Sequence, residues 1–292
     1  MRIATRGSAL ALAQAEWVAA RLPGPVELVK VTTSGDRRRA VDDKREWVLE
    51  IEEALLRGDA DLAVHSAKDV PVALAEGCVL VAAPERADPR DVLCGASSLD
   101  ALPEGARVGT VSLRRASQIL ARRPDLSIVE LRGNVDTRLR KLREGDADAI
   151  VLAAAGLDRL GRRSEASCTL DLVPAAGQGT LALEAREGDT AVLEAVAALR
   201  DPVAEAALAC ERAFVAALGA DCSTPVGAYA EPIDDPTASA GDGVSLHLRA
   251  YVGAPDGSAW LTDELAGNAQ SALGEEVARR LLAAGAEEVL GR

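Results

Sequence analysis

The pattern that most restricts the fold is an alternation of short apolar runs with helical periodicity, which occurs twice along the chain. The first series opens with the strand-like run Ile3–Thr5 and a helical pattern over Leu10–Arg21, and it closes with the strand-like run Leu62–His65. The second series extends from Val108–Thr110 to Ala149–Ala153. Strands and helices in alternation indicate parallel sheets covered by helices. The sequence therefore predicts two similar α/β domains.

Two further segments complete the predicted architecture. A polar, proline-flanked segment at Pro84–Pro89 separates the two series and forms the first crossing between the domains. The glycine-rich loop Pro174–Gly179 later leads into the strand-like run Leu181–Ala185, which we expect to return and pair with the first domain. Two such crossings would form a hinge. From about Asp201 the chain changes to a long helix, alternating strands and a final helix, which predicts a small α+β domain. The expected domain boundaries are 1–84 with 180–198, then 88–175, and finally 201–292.

Positive charge is concentrated in one part of an acidic chain. The segment 107–163 holds twelve arginines, one lysine and seven acidic residues, although the whole chain has a formal net charge of −13. Arg114 and Arg115 follow Ser112 at a predicted helix start, and Arg132 precedes a turn. Guanidinium groups bind carboxylates and phosphates through paired hydrogen bonds, and helix N-termini favour anions. We therefore expect a polyanionic small molecule in the cleft between the first two domains, where the strands end.

Composition argues against several other classes of protein. The acidic balance and the 2% aromatic content disfavour nonspecific nucleic-acid binding. No run of about 18 apolar residues and no leader-like N-terminus occurs, so we expect a cytoplasmic protein without membrane association. The five cysteines are odd in number, widely spaced and without a CxxC pair. This spacing indicates free thiols, with neither a disulfide framework nor a metal site.

Seven segments carry loop motifs in a fixed order along the chain. They read RIATRGSALALAQ, DLAVHSAKDVPV, ERADPRDVL, VGTVSLRRASQILARRPDL, LRGNVDTRLRKL, AAAGLDRLG with PAAGQGTLALE, and GADCSTPVGAYAE. Together they resemble the porphobilinogen deaminase (hydroxymethylbilane synthase) family over nearly the whole chain. The resemblance implies two α/β domains built like periplasmic binding proteins and joined by hinge strands, plus a small α+β C-terminal domain. It also implies a monomer.

The resemblance implies a transferase of tetrapyrrole and heme biosynthesis. Such an enzyme condenses four porphobilinogen molecules, each losing ammonia, and then releases hydroxymethylbilane by hydrolysis. The chain would grow on a dipyrromethane cofactor joined by a thioether to Cys222. Asp69 would be the catalytic acid, because loss of ammonia leaves an electron-deficient azafulvenium whose pyrrole N–H a carboxylate can stabilise.

Further contacts are implied by the matching motifs. Each pyrrole carries an acetate and a propionate, so a growing chain presents many carboxylates. Cofactor contacts are implied for Lys68, Ser112, Arg114, Arg115, Arg132 and Arg138. Substrate contacts are implied for Arg6, Ser8, Arg159 and Gln178. Surface solvation is expected for six other arginines of the basic segment: Arg122, Arg123, Arg140, Arg143, Arg162 and Arg163.

The segment 35–47 departs from the family pattern. Family members have a longer, glycine-rich lid over the active site, whereas this segment is shorter and lacks the glycine-rich stretch. Lys44 and Trp47 stand where the family has a basic residue and an aromatic ring. Loss of glycine stiffens a segment, and a stiffer lid would slow elongation. Two alternatives therefore stay open: a diverged paralogue with a different or truncated pyrrole product, and a noncatalytic anion-binding protein. A pure binder would need neither Asp69 nor Cys222.

Overall fold

A computed structural model describes residues 1–37, 45–221, 224–234, 243–268 and 270–292 as three units of helix and sheet. The strands are β1 (Arg2–Arg6), β2 (Glu27–Val31), β3 (Leu62–Ser66), β4 (Cys78–Ala82), β5 (Asp91–Cys94), β6 (Arg107–Gly109), β7 (Ser127–Val129), β8 (Ala149–Ala153), β9 (Cys168–Leu170), β10 (Leu181–Arg186), β11 (Val226–Pro232), β12 (Leu246–Gly253) and β13 (Trp260–Gly267). The α-helices are α1 (Ala9–Ala19), α2 (Ser34–Arg37), α3 (Arg45–Leu56), α4 (Leu113–Arg122), α5 (Val135–Arg143), α6 (Ala154–Arg159), α7 (Thr190–Val196), α8 (Pro202–Ala217), α9 (Gln270–Ala283) and α10 (Ala286–Val289). Short 3₁₀ turns span Ala67–Asp69, Arg163–Glu165 and Ala197–Leu199.

The two five-stranded sheets share one plan. Their strand orders are β2-β1-β3-β10-β4 and β7-β6-β8-β5-β9. In each sheet the strand in the fourth position runs antiparallel to both neighbours, and the other four strands are parallel to one another. β5 enters the second sheet directly from the first domain, and β10 returns to the first. The predicted α/β domains joined by hinge strands are confirmed, but the sheets are mixed rather than purely parallel because each includes one crossing strand.

Helix starts cluster at the carboxyl ends of the parallel strands. Ser8 caps α1 by accepting a hydrogen bond from Ala11 N (3.3 Å), and Ser112 caps α4 in the same way from Arg115 N (3.4 Å). Asn134 does so for α5. These residues follow β1, β6 and β7, where side-chain capping satisfies free backbone N–H groups. α1 of the first domain contacts α6 of the second. The sequence order thus brings the helix N-termini of both domains to one cleft.

The C-terminal domain is a three-stranded antiparallel sheet, β11-β12-β13, covered by α8 and α9. The fully buried ring of Phe214 lies in its apolar core. Tyr251 of β12 also reaches α4 of the second domain, where its hydroxyl lies 2.7 Å from Ser117 Oγ. The small α+β domain is confirmed, with one strand, β13, that the sequence pattern did not indicate. The exact domain boundaries stay a prediction. Within the described ranges, no helix is long and apolar enough to cross a membrane.

A buried ion pair joins the hinge to the C-terminal domain. The carboxylate of Glu211 on α8 is fully buried and accepts hydrogen bonds from Arg86 Nη1 (2.6 Å) and Nη2 (3.2 Å). It also accepts from the backbone N–H groups of Gly177 (2.6 Å) and Ala230 (2.8 Å). One carboxylate therefore holds the first crossing, the glycine-rich loop before β10 and the C-terminal sheet together.

Replacing Glu211 with Ala is expected to lower the free energy of unfolding by about 3–5 kcal/mol, because it leaves a buried guanidinium unpaired. Urea unfolding followed by circular dichroism measures the change. Glu276→Ala is the control, since its pair with Arg279 is exposed and should contribute little to stability. A loss in Glu211→Ala as small as that of the control would contradict this account.

Candidate active site

The turn after β3 places Asp69 at the carboxyl edge of the first sheet. The glycine-rich loop packs directly against this turn. Gly177 has φ +74°, and a Cβ at this position would lie 2.9 Å from Ala67 Cβ and 3.0 Å from Lys68 N. Only glycine combines this backbone conformation with so close an approach. The loop before β10 thus supports the turn that carries Asp69.

A buried carboxylate, Asp91, organises the polar network behind this turn. It accepts hydrogen bonds from Arg114 Nη1 (2.8 Å), from Arg115 Nε (3.0 Å) and Nη2 (2.7 Å), and from Gln178 Nε2 (2.9 Å). Gln178 Oε1 in turn accepts from Lys68 Nζ (3.2 Å). Burial alone would raise the pKa of Asp91, but the two guanidinium groups outweigh it and hold the pKa well below its usual range.

Arg114 and Arg115 are therefore largely occupied by the protein itself. Arg114 also donates to Val173 O (2.7 Å), and Arg115 to Val151 O (3.0 Å). Both side chains are buried. Arg114 Nε is buried without a hydrogen-bond partner among the described residues. The cofactor contacts implied for these two residues stay predictions.

Arg138 of α5 is a mostly buried cation that lies within electrostatic reach of both Arg115 and Asp69. Its Nε is buried without a hydrogen-bond partner, and the described part of the chain offers it no ion pair. Burial and the neighbouring charge of Arg115 lower the pKa of Arg138 to about 10, although Asp69 acts in the opposite direction. A buried charge without a partner is unfavourable. An anionic ligand would therefore stabilise the charge of Arg138 beyond what the described residues provide.

Lys68 belongs to the same positive cluster. Burial and the charge of Arg115 lower the pKa of the Lys68 ammonium to about 8, while Asp69 and Asp91 partly offset this effect. Arg132 also adds to the positive field at Arg138, although its own side chain is exposed beside Glu130. Lys68 and Arg138 thus lie within electrostatic reach of both Asp69 and Arg115, and Arg132 lies within reach of Arg138. The cofactor contacts implied for these residues stay predictions.

A second group of predicted residues lies on the wall formed by the first domain. The guanidinium of Arg6 lies over the ring of Trp47, 4.0 Å from its centroid. Arg6, Ser8 and Trp47 line one pocket together with Asp69. The ring of Trp47 packs flat against Gly35, where a Cβ would overlap it. The described part of the lid segment therefore places its aromatic ring beside the site.

Four predicted residues lie apart from this pocket or outside the described residues. Arg159 donates to Gly179 O (2.7 Å), and burial lowers its pKa to about 10. Gln178 is buried and also donates to Pro89 O (2.6 Å), so its side chain joins the hinge to the network of Asp91. Cys222 and Lys44 lie outside the described residues.

Sequence reasoning missed three buried carboxylates near the site, Asp91, Glu184 and Glu211. Glu184 of β10 is fully buried, with an oxygen 3.0 Å from His65 Nε2. An acid within the apolar run LALEA is the available signal, because a carboxylate in a buried strand needs a partner. Asp91 gave no comparable signal, since it stands in the polar stretch ERADPRD. Glu211 stands beside Arg212 in the helical run AALACERAFVAAL, where the sequence does not show which of the two charged side chains is buried.

Fold and site together define a protein with two α/β domains, a positively charged cleft between them and a small α+β domain. A family model described as "Porphobilinogen deaminase, dipyromethane cofactor binding domain" matches residues 1–194, and one described as "Porphobilinogen deaminase, C-terminal domain" matches residues 206–283. The chain belongs to the porphobilinogen deaminase family, and its first two domains form the cofactor-binding region of that family. The resemblance inferred from the seven motifs is confirmed.

Relatives cover nearly the full chain. A porphobilinogen deaminase from Rubrobacter xylanophilus is 48% identical, with 99% of this chain and 96% of that protein covered. One from Roseiflexus castenholzii is 47% identical, with 99% and 98% covered. Among solved structures, a periplasmic substrate-binding protein of an ABC transporter from Coxiella burnetii is similar with a TM-score of 0.44 and 17% identity, over 70% of this chain and 94% of that chain.

Arg138→Met is expected to affect stability and turnover in opposite directions. In a Cys222→Ala chain, the substitution should raise the free energy of unfolding, because it removes a buried unpaired charge. In the chain with Cys222 intact, it should lower turnover about 10- to 100-fold through the loss of charge-assisted hydrogen bonds. Arg140→Met on the same helix is the control, since Arg140 forms an exposed pair with Glu144. Urea unfolding and steady-state kinetics test both; a destabilised chain with unchanged turnover would refute the assignment.

Lys68 should give the cofactor-free chain a distinct pH dependence. The pKa of Lys68 is about 8 in the folded chain, below its ordinary 10.5. Between these values the unfolded chain binds more protons, so stability rises with pH. The unfolding free energy of Cys222→Ala should therefore increase from pH 8 to pH 10.5 relative to that of Cys222→Ala with Lys68→Met. If the difference in unfolding free energy between the two chains does not vary with pH, the lowered pKa of Lys68 is contradicted.

Proposed function

We propose that this chain is an active porphobilinogen deaminase that condenses four porphobilinogen molecules, with loss of ammonia, on a cysteine-linked dipyrromethane and then releases hydroxymethylbilane. The observation that carries the proposal is the uncompensated positive charge around Asp69. Arg138 is mostly buried and forms no ion pair within the described part of the chain, and the pKa of Lys68 is lowered to about 8. A ligand that brings several carboxylates supplies the missing charge.

Asp69 is the catalytic residue in this proposal. As ammonia leaves the aminomethyl group of porphobilinogen, positive charge develops on the pyrrole ring and its N–H. The carboxylate of Asp69 accepts a hydrogen bond from that N–H and stabilises the charge as it forms. Lys68 and Arg138 lie within electrostatic reach of Asp69 and bind the acetate and propionate groups. This division of roles leaves the carboxylate facing the pyrrole nitrogen.

The residues present fit a dipyrromethane. When bound, it supplies the electron-rich primer on which the product chain is built. Arg138 Nε and Arg114 Nε are buried donors that have no hydrogen-bond partner among the described residues. Lys68 adds an ammonium within electrostatic reach of Arg114. Ser112 at the start of α4 and the exposed Arg132 are further proposed contacts. These groups hold the acidic side chains of the primer and fix its orientation.

Cys222 is the proposed attachment site, and the other four cysteines are poorly suited to the task. Burial raises the pKa of Cys78 to about 12, of Cys94 to about 11 and of Cys210 to about 12. The pKa of Cys168 is also raised by burial. A thiol that attacks carbon must be accessible and must form thiolate. These four thiols therefore remain structural.

Arg6, Ser8, Arg159 and Gln178 complete the proposed substrate site, with Lys44 and Trp47 as the lid residues. The pocket lined by Arg6, Ser8, Trp47 and Asp69 supports a place for the incoming pyrrole on the first domain. Nucleic acid is no part of this proposal. A monomeric state and a cytoplasmic location remain predictions.

The test compares intact masses and turnover of three purified chains: the wild type, Cys222→Ala and Asp69→Asn. The wild type should carry an excess mass of two linked pyrrole units, and Cys222→Ala should carry none. Asp69→Asn should lose about 10²–10³-fold in turnover, as when one electrostatic stabiliser of a transition state is removed. Asp146→Asn, in an exposed turn, is the matched control.

A wild-type chain that stays unmodified after incubation with porphobilinogen would favour the noncatalytic alternative. Cofactor loading with products shorter than four units would favour the diverged paralogue. Normal turnover in Asp69→Asn would overturn the role of the carboxylate while leaving the cofactor assignment intact.

A further inference from the structure

Arg212 of α8 reaches out of the C-terminal domain to the segment that follows Asp69. Its guanidinium donates to three consecutive backbone carbonyls, Val70 O (3.4 Å), Pro71 O (2.8 Å) and Val72 O (2.9 Å). The acceptors lie in the first domain, about 140 residues earlier in the chain. The planar fork of an arginine suits several neighbouring acceptors.

The guanidinium of Arg212 interacts mainly with the segment Val70–Val72. In the described part of the chain no carboxylate lies within ion-pair distance of it, and all its hydrogen bonds go to these carbonyls. Burial lowers the pKa of Arg212, and the buried Glu184 acts in the opposite direction. Hydrogen bonds from an ionised donor are stronger than neutral ones. These hydrogen bonds therefore fix the segment Val70–Val72 to α8.

The turn that carries Asp69 is held at both ends. Val70 N donates to Ala67 O (3.2 Å) and closes the turn on the side of Arg212. On the other side, Gly177 packs against the turn and donates its N–H to Glu211 (2.6 Å). Glu211 and Arg212 are adjacent residues of α8. One helix therefore grips both the turn and the loop that supports it.

We propose that Arg212 is a positioning residue for the condensation reaction. It ties the turn of Asp69 to the domain that contains the proposed cofactor cysteine, so the carboxylate keeps its place relative to the bound pyrroles through successive additions. This inference rests on the proposed function. Misplacement of a catalytic group by about 1 Å costs up to about 100-fold in rate, so the effect should appear in kcat.

The experiment compares wild-type protein with Arg212→Met, Arg212→Gln and Arg212→Lys, all expressed as full chains. Rates are divided by the fraction of chains that carry the two-unit cofactor mass. Arg212→Met should reduce kcat about 10- to 100-fold and leave KM within about twofold, because Arg212 binds backbone and not substrate. Arg212→Lys should recover part of the loss, since its ammonium can still donate to one or two of the carbonyls. Arg200→Met is the control, because Arg200 forms an exposed pair with Glu205 just before α8.

Three results would overturn the inference. The first is a kcat of Arg212→Met within twofold of wild type per cofactor-bearing chain. The second is an equal loss in Arg212→Lys and Arg212→Met, and the third is a change confined to KM. If Arg212→Met does not fold, Arg212→Gln is judged by the same criteria. A wild-type chain that acquires no pyrrole units would instead refute the proposed function itself, which separates the two failures.

Discussion

The site depends on the buried carboxylate of Asp91. This residue opens β5, directly after the first crossing between the domains, and it binds two adjacent arginines of α4 together with Gln178 from the return crossing. It thereby fixes α4, the hinge and the glycine-rich loop in one arrangement. Replacing it with an apolar residue would leave two guanidinium groups buried and unpaired, a change that typically costs several kcal/mol.

One carboxylate cannot neutralise all the cations that the fold collects there. Asp91 compensates much of the charge of Arg114 and Arg115, yet Lys68 and Arg138 remain close enough to Arg115 for its charge to lower their pKa values. The site therefore carries a surplus of positive charge, although the chain as a whole is strongly acidic. Desolvation and like-charge repulsion make such a cluster unfavourable. Binding of a ligand with several carboxylates would offset that cost. The fold would thereby favour binding of a ligand that carries several carboxylates.

The sequence predicted the elements best where periodicity and loop motifs coincide. The strand before Asp69, the helix start at Ser112 and the return of Leu181–Ala185 to the first domain all follow from local patterns. The short strands β5 and β9 did not, because four or three residues give too little pattern, and their place in the sheet depends on distant partners. The hydrogen bonds of Arg114 and Arg115 to Asp91 could not be predicted from the sequence either. The partners are more than 20 residues apart and meet only through the tertiary fold.

The exchange of strands between the two sheets has a consequence for synthesis of the chain. β10 lies between β3 and β4, so the first sheet stays open until residues 181–186 have left the ribosome, roughly 100 residues after β4. At about 5–20 residues per second, the facing edges of β3 and β4 wait for several seconds with unpaired backbone groups. Open strand edges of this kind recruit foreign strands. The nascent chain is therefore most exposed to aggregation, and most dependent on chaperones, while its second domain is being made.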